Sequence, residues 1–137
     1  MFWTILGTVI SGTLVYILGQ IIKEYILNPE LEFKKTLAGI DNKLKFYSDV
    51  ITNPGNILPQ EIKIKCSTEL RNLSCDLEVT YKQLILIKRT RELDKKIADA
   101  AKKLIFLSNN VYHSGDGVKN SDEIDSIRDL LKITKLN

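Results

Sequence analysis

Polar and apolar positions divide the chain into two unlike parts. No charged residue occurs from Phe2 to Ile22. A helix over that run is about 32 Å long, enough to cross a hydrocarbon core of about 30 Å. After Lys23 charges are spread through the chain, and apolar residues recur at threes and fours, the spacing of helices that bury one face. The fold class this predicts is all-α: a membrane helix and junction over residues 1–27, then a helical bundle or coiled-coil domain over 28–137.

Within the second part the seams can be followed. Phe33, Leu37, Ile40, Leu44, Tyr47 and Ile51 predict a helix over about residues 29–52, which Asn53-Pro54-Gly55-Asn56 terminates. Asn28-Pro29 predicts an end or bend of the membrane helix, with Asn28 as the cap of the next one. Gly39 is a candidate close helix crossing. Pro59 then opens a helix whose seam is Ile62, Cys66, Leu70, Leu73, Leu77, Tyr81 and Leu84. The seam restarts in a shifted phase at Leu93, Ile97, Ala100, Leu104 and Leu107. Lys88-Arg89-Thr90-Arg91 holds no Gly or Pro, so one long helix over 59–109 is preferred to two helices separated by a short break there. A last amphipathic helix over 121–136, capped by Asn120 or Ser121, turns Ile124, Ile127, Leu131 and Thr134 inward.

The membrane run is not uniform around its circumference. At about 100° per residue, Thr4, Gly7, Thr8, Ser11, Gly12 and Gly19 fall within a sector of about 140°. Leu6, Val9, Ile10, Thr13 and Ile17 lie opposite. Small residues on one face permit close helix approach, and Gly7-x-x-x-Ser11 and Thr8-x-x-x-Gly12 are both small-xxx-small pairs. That face is the candidate surface for self-association or for lining a water-filled path, and a path requires several copies. A cleaved signal peptide would need a basic leader, a shorter core and small residues at its end. Only Met1 precedes this run, and Ile21-Ile22-Lys23-Glu24-Tyr25 follows. An uncleaved anchor is therefore expected. Lys23, Lys34, Lys35, Lys43 and Lys45 all follow the span, which places the bundle in the cytoplasm and the N-terminus outside the cell membrane.

Composition narrows the function classes. The 115 residues after the span suffice for one modest domain. Cys66 and Cys75, nine apart on a helix, face different ways and read as free thiols. Asp116, Asn120, Asp122 and Asp125 do not keep the spacing of a calcium loop. His113 has no neighbouring ligand or nucleophile and reads as a loop residue. No phosphate loop, nucleophile elbow or HExxH occurs, so no enzyme, cofactor or metal site is expected.

The net charge of +3 is modest. Its distribution is less so: Lys82, Lys88, Arg89, Arg91, Lys95, Lys96, Lys102 and Lys103 face only Glu92, Asp94 and Asp99 across one helical region. Lys88, Arg89, Arg91, Lys95 and Lys96 are the candidate residues for an anionic ligand, a nucleotide or oligonucleotide, or for the anionic inner leaflet. The striped span, the junction Lys23-Glu24-Tyr25-Ile26-Leu27-Asn28-Pro29 and the small basic helical domain together resemble the short single-span membrane effectors of bacterial anti-phage defence, of which the Hailong-type effectors are the nearest. That resemblance implies a homo-oligomeric pore held inactive by an oligonucleotide on its cytoplasmic domain and lethal on release. The expected function is membrane permeabilisation or depolarisation under cytosolic control. The alternative is a tethered adaptor that recruits a protein partner.

Overall fold

The computed structural model describes residues 2–53, 58–84, 90–112 and 117–132, and it is all-α. Helix α1 spans Phe2–Ile22 and runs through a π-turn, Lys23–Leu27, into α2, Asn28–Phe46. Trp3–Phe46 is thus one helix. The sequence expectation of an end or bend at Asn28-Pro29, with Asn28 as a cap, is corrected here. Asn28 is helical, and its N–H donates to the Lys23 carbonyl five residues back. Proline has no N–H and its ring crowds the carbonyl four residues earlier. Widening the preceding turn by one residue makes room for Pro29 without breaking the rod.

Helix α3, Ser48–Thr52, follows a break at Tyr47, whose φ of −96° and ψ of 12° leave the α region. The expected helix over 29–52 is therefore two pieces. Helix α4, Gln60–Lys82, begins after Pro59, which is extended, and α5 covers Arg91–Asn110. The single helix read over 59–109 is likewise corrected to an α4–α5 hairpin. Gln83 and Leu84 are non-helical, and Thr90 is an extended N-cap whose hydroxyl accepts from Leu93 N–H at 3.2 Å. Helix α6, Gly117–Lys132, starts earlier than expected, so Asn120 is inside it rather than capping it. Thr134 and His113 lie outside the described residues.

Helices α2, α4, α5 and α6 form the bundle, with α4 packed on both α2 and α5, and α6 on α5. The core follows the seams: Phe33, Ile40, Leu44, Tyr47 and Ile51 meet Cys66, Leu70, Leu77 and Tyr81, then Ile97, Ala100, Leu104 and Leu107, then Ile124, Ile127 and Leu131. Ile62, assigned to the α4 seam, is 39 % exposed and lies off it. Gly39 is no forced crossing, because an added Cβ would meet only Leu73 Cδ2 at 3.9 Å. The close approach is at Gly117, where a Cβ would fall 2.0 Å from the Thr52 carbonyl oxygen.

Polar groups inside the bundle tie its helices in register. Asn120 is fully buried, donates to the Ile51 carbonyl at 2.8 Å and accepts from Asn110 Nδ2 at 2.8 Å. It thereby satisfies one of the orphan carbonyls at the end of α3. Ser74 Oγ donates to the Ala101 carbonyl at 3.0 Å between α4 and α5. Arg71 joins Ser108 and Asn109 across the same pair.

Pairings fix which end of the bundle lies next to the span. The Phe33 and Tyr81 rings are 6.0 Å apart, and Lys43 pairs with Glu69, so α4 runs antiparallel to α2. Tyr81 also donates to Asp94 at 2.7 Å. The end of α4 and the start of α5 therefore sit at the level of Phe33, the bundle end nearest α1.

Candidate functional site

Among the described residues, helix α1 packs against no helix of the bundle. Every residue from Trp3 to Ile22 is exposed. Leu14, Val15, Ile17 and Leu18 have relative exposures of 47 to 70 %. At about 1.5–3 kcal/mol for each large apolar side chain left in water, the unburied surface is worth on the order of 20 kcal/mol. That exceeds the whole stability of a typical domain. The helix therefore requires an apolar phase or apolar partners, and its length and lack of charge make it membrane-competent.

The small face is open. An added Cβ at Gly7, Gly12 or Gly19 meets nothing within 4 Å. Thr8 Oγ1 donates to the Thr4 carbonyl at 2.9 Å, and Ser11 Oγ to the Thr8 carbonyl at 3.0 Å. Thr13 bonds back to Val9 in the same way. These hydroxyls satisfy themselves within the helix, so they can face lipid or a neighbouring helix without leaving a donor unpaired.

The face is also shorter than the residue list suggests. Val15, Leu18 and Ile22 fall in the same sector, between the Thr4–Gly12 stretch and the bundle. Gly19 is thereby separated from the rest. The continuous small surface is Thr4, Gly7, Thr8, Ser11 and Gly12, about 12 Å along the axis. An apolar stretch about as long follows it.

The basic set is only partly brought together. Lys88 and Arg89 lie outside the described residues. Arg91 and Lys95 are exposed on one face of α5, one turn apart, at the bundle end near α1. Lys96 is half-buried and pairs with Glu92 at 2.5 Å. That hydrogen bond and the ammonium's charge hold the Glu92 carboxyl below its usual range. Lys82 pairs with Glu78, and Lys103 with Glu123, so much of the apparent surplus is neutralised locally.

Sequence reasoning missed two further features. A groove of about 620 Å³ opens between α2 and α6, floored by Phe33, Leu37, Ile40, Leu44 and Leu131 and bridged by Arg128 to Asp41 at 3.2 Å. Its signal was present, because Leu37 is a seam residue yet remains partly exposed. The second is the Lys43–Glu69–Tyr47–Cys66 cluster. Lys43 Nζ lies 2.7 Å from Glu69 Oε2 as an ion pair, but neither that oxygen nor the buried Tyr47 hydroxyl has an aligned hydrogen-bond partner. Burial first, then the Glu69 charge, pushes the Tyr47 phenol and the Cys66 thiol each up to about 12. The Lys43 ammonium beside it is the main cause holding the Glu69 carboxyl low.

Both cysteines are free, Cys66 buried and Cys75 exposed. No metal-holding cluster occurs among the described residues. No family model, curated protein or solved structure matches the chain.

Proposed function

We propose that this chain is a homo-oligomeric single-span membrane protein that permeabilises or depolarises the membrane under the control of its helical bundle. The observation that carries the reading is α1 itself: a membrane-length helix, wholly exposed, whose Thr4–Gly12 face is open for another helix. Tight association through that face brings several copies around one axis. Thr4, Thr8 and Ser11 then give a polar mouth, and Val15, Leu18 and Ile22 an apolar constriction beside the bundle. Such a constriction closes a path by dewetting until it is widened. The lysines that follow the span, Lys23, Lys34, Lys35, Lys43 and Lys45, favour a cytoplasmic bundle and an N-terminus outside. Arg91 and Lys95, with Lys88, Arg89 and Lys96 in the same stretch, are the proposed contacts of an anionic (oligo)nucleotide. The place of Arg91 and Lys95 at the bundle end nearest α1 would let such a ligand act on the junction. The layout's resemblance to the membrane effectors of anti-phage defence points the same way.

The test is expression in a bacterial host with a potential-sensitive dye. The unaltered chain is expected to collapse the membrane potential, and Gly7→Leu with Ser11→Leu to preserve it at equal protein level. An intact potential with the unaltered chain overturns the proposal. The apolar α2–α6 groove favours one other reading, a tethered adaptor that seats a protein partner there. An adaptor leaves the potential unchanged and keeps its behaviour when the α1 face is filled.

A further inference from the structure

Two side chains of α1 carry polar groups that the helix leaves unsatisfied. The hydroxyls of Thr8, Ser11 and Thr13 each donate to a carbonyl of their own backbone. Tyr16 and Gln20 bond instead to one another, Gln20 Nε2 donating to the Tyr16 hydroxyl at 3.0 Å. A carboxamide has two N–H donors and a phenol one O–H. One bond between them uses one of those donors, so two remain whichever way the amide is turned.

These donors lie inside the span. Gln20 and Tyr16 precede Ile22, the last residue of the uncharged run, by about 3 and 9 Å along the axis. Helical side chains lean toward the N-terminus, and the bond to Tyr16 one turn earlier holds the Gln20 amide that way, away from the cytoplasmic interface. Trp3 and Tyr25, both exposed near the ends of the span, are the rings placed to meet the two interfaces. Tyr16 is about 13 Å from Tyr25 along the axis and so stands well inside that pair. No water meets the two donors in hydrocarbon, and their route to satisfaction is an acceptor on another helix.

A second copy of α1 supplies such an acceptor at the same depth. A helical side chain covers the turn N-terminal to its own Cα, and Gly19 has none. The space a Cβ would fill there is open, which leaves the Val15 carbonyl bare. That carbonyl accepts the Gly19 N–H within the helix and keeps a second lone pair. Gly19 and Gln20 are consecutive, so they differ in depth by only about 1.5 Å but point about 100° apart. Gln20 of one copy can therefore meet the Gly19 side of the next while its own Gly19 side receives a third. A head-to-tail contact of this kind passes from copy to copy and can close a ring. Leu6, Ile10, Leu14, Ile17 and Ile21 occupy a third side and remain for lipid.

Resting on the self-association proposed above, we infer that the Tyr16–Gln20 pair of one copy hydrogen-bonds to the Val15 carbonyl laid bare at Gly19 of a neighbouring copy. Gly19, set apart from the Thr4–Gly12 surface, and Gln20, the polar residue of the inner half of the span, are then two sides of one contact.

The test is energy transfer between full-length copies labelled at the exposed Cys75, in liposomes diluted with added lipid. The parent is expected to associate. Gln20→Leu with Tyr16→Phe removes the spare donors and should raise the protein-to-lipid ratio at half-association roughly ten-fold, as should Gly19→Leu, which covers the carbonyl. Combining all three should weaken association no further than either set alone, because both act on one contact. An unchanged ratio for the Gln20–Tyr16 variant overturns the contact and leaves the assembly standing, the donors then being met by lipid or interfacial water. Losses that add in the combined variant set the donors against something other than Gly19 and overturn the contact as well. If the parent shows no energy transfer, the assembly falls and the contact with it. Should Gly19→Leu alone leave only monomers, Gly19→Ala takes its place and is judged by the same additivity.

Discussion

Replacing Gly117 with alanine should destabilise the bundle, although helix propensity alone predicts the opposite. Gly117 is the first residue of α6 and its φ is not in the left-handed region, so alanine meets no backbone strain. On propensity, alanine gains up to about 1 kcal/mol over glycine in a helix. The structure reverses the sign. A Cβ at residue 117 would lie 2.0 Å from the Thr52 carbonyl oxygen and 3.1 Å from its carbon. The obstacle is backbone, not a side chain that can swing aside. To restore contact distance, α3 and α6 must part by about 1 Å or more. Overpacking of this kind costs about 1–3 kcal/mol. The parting also stretches the bond from Asn120 to the Ile51 carbonyl, now 2.8 Å, and losing it inside the core costs about 1–3 kcal/mol more. Offsetting the propensity gain leaves a net loss of about 1–5 kcal/mol. Urea denaturation of the full chain in detergent, followed by far-ultraviolet circular dichroism, reads this as a lower midpoint at unchanged slope. Asn120→Ala should lose about 1–3 kcal/mol alone, and the double variant less than the sum, because both act on one contact. A Gly117→Ala midpoint at or above that of the unaltered chain would refute the reasoning.

Four further outcomes follow from the Tyr47 cluster and the cysteines. The Glu69 carboxyl is held below its usual range by Lys43, so its contribution is present above the unfolded pKa of about 4.3 and is lost as pH falls through the folded value; Glu69→Gln should flatten the acid limb of a stability–pH curve, and an unchanged limb counts against the pair. Tyr47→Phe removes a buried hydroxyl that has no aligned partner, so stability near neutral pH should stay equal or rise by up to about 1 kcal/mol. The same substitution should lessen the alkaline loss between the unfolded phenol value of 10.0 and the folded value of about 12, since a raised acid stabilises only while protonated. An aromatic disulfide reagent at pH 8 should titrate one thiol, Cys75, in the folded chain and both after denaturation, because Cys66 is buried with its thiol pushed up to about 12.

The sequence was most informative where burial is periodic. Phe33 through Ile51, Leu93 through Leu107 and Ile124 through Leu131 face the core as their spacing predicts, since a repeat of threes and fours reports one buried face directly. The hairpin between α4 and α5 was missed because Lys88-Arg89-Thr90-Arg91 contains no helix breaker. The legible signal was Thr90 ahead of Glu92 and Asp94, a cap followed by acids in the first turn. Pro29 was over-read: a proline signals a disturbed turn, and whether the chain breaks or widens depends on the rod around it. Asn120, with Ser121, reads as a cap in sequence because asparagine favours that position. Only the packing of α6 on α3 shows that it has two partners inside the bundle. The small face of α1 was readable, but its limit at Gly12 emerged only when Val15, Leu18 and Ile22 were placed on the same sector. The basic stretch looked stronger in sequence than in space, since Glu78, Glu92 and Glu123 each take one of its lysines.

The central claim is that α1 is an assembly surface and not only an anchor. Measuring the mass of the purified protein in lipid nanodiscs or mild detergent tests it most directly. The account predicts a homo-oligomer of at least about four copies, reduced to monomer by Gly7→Leu with Ser11→Leu while the bundle stays folded. A monomeric unaltered chain in the same conditions would contradict it.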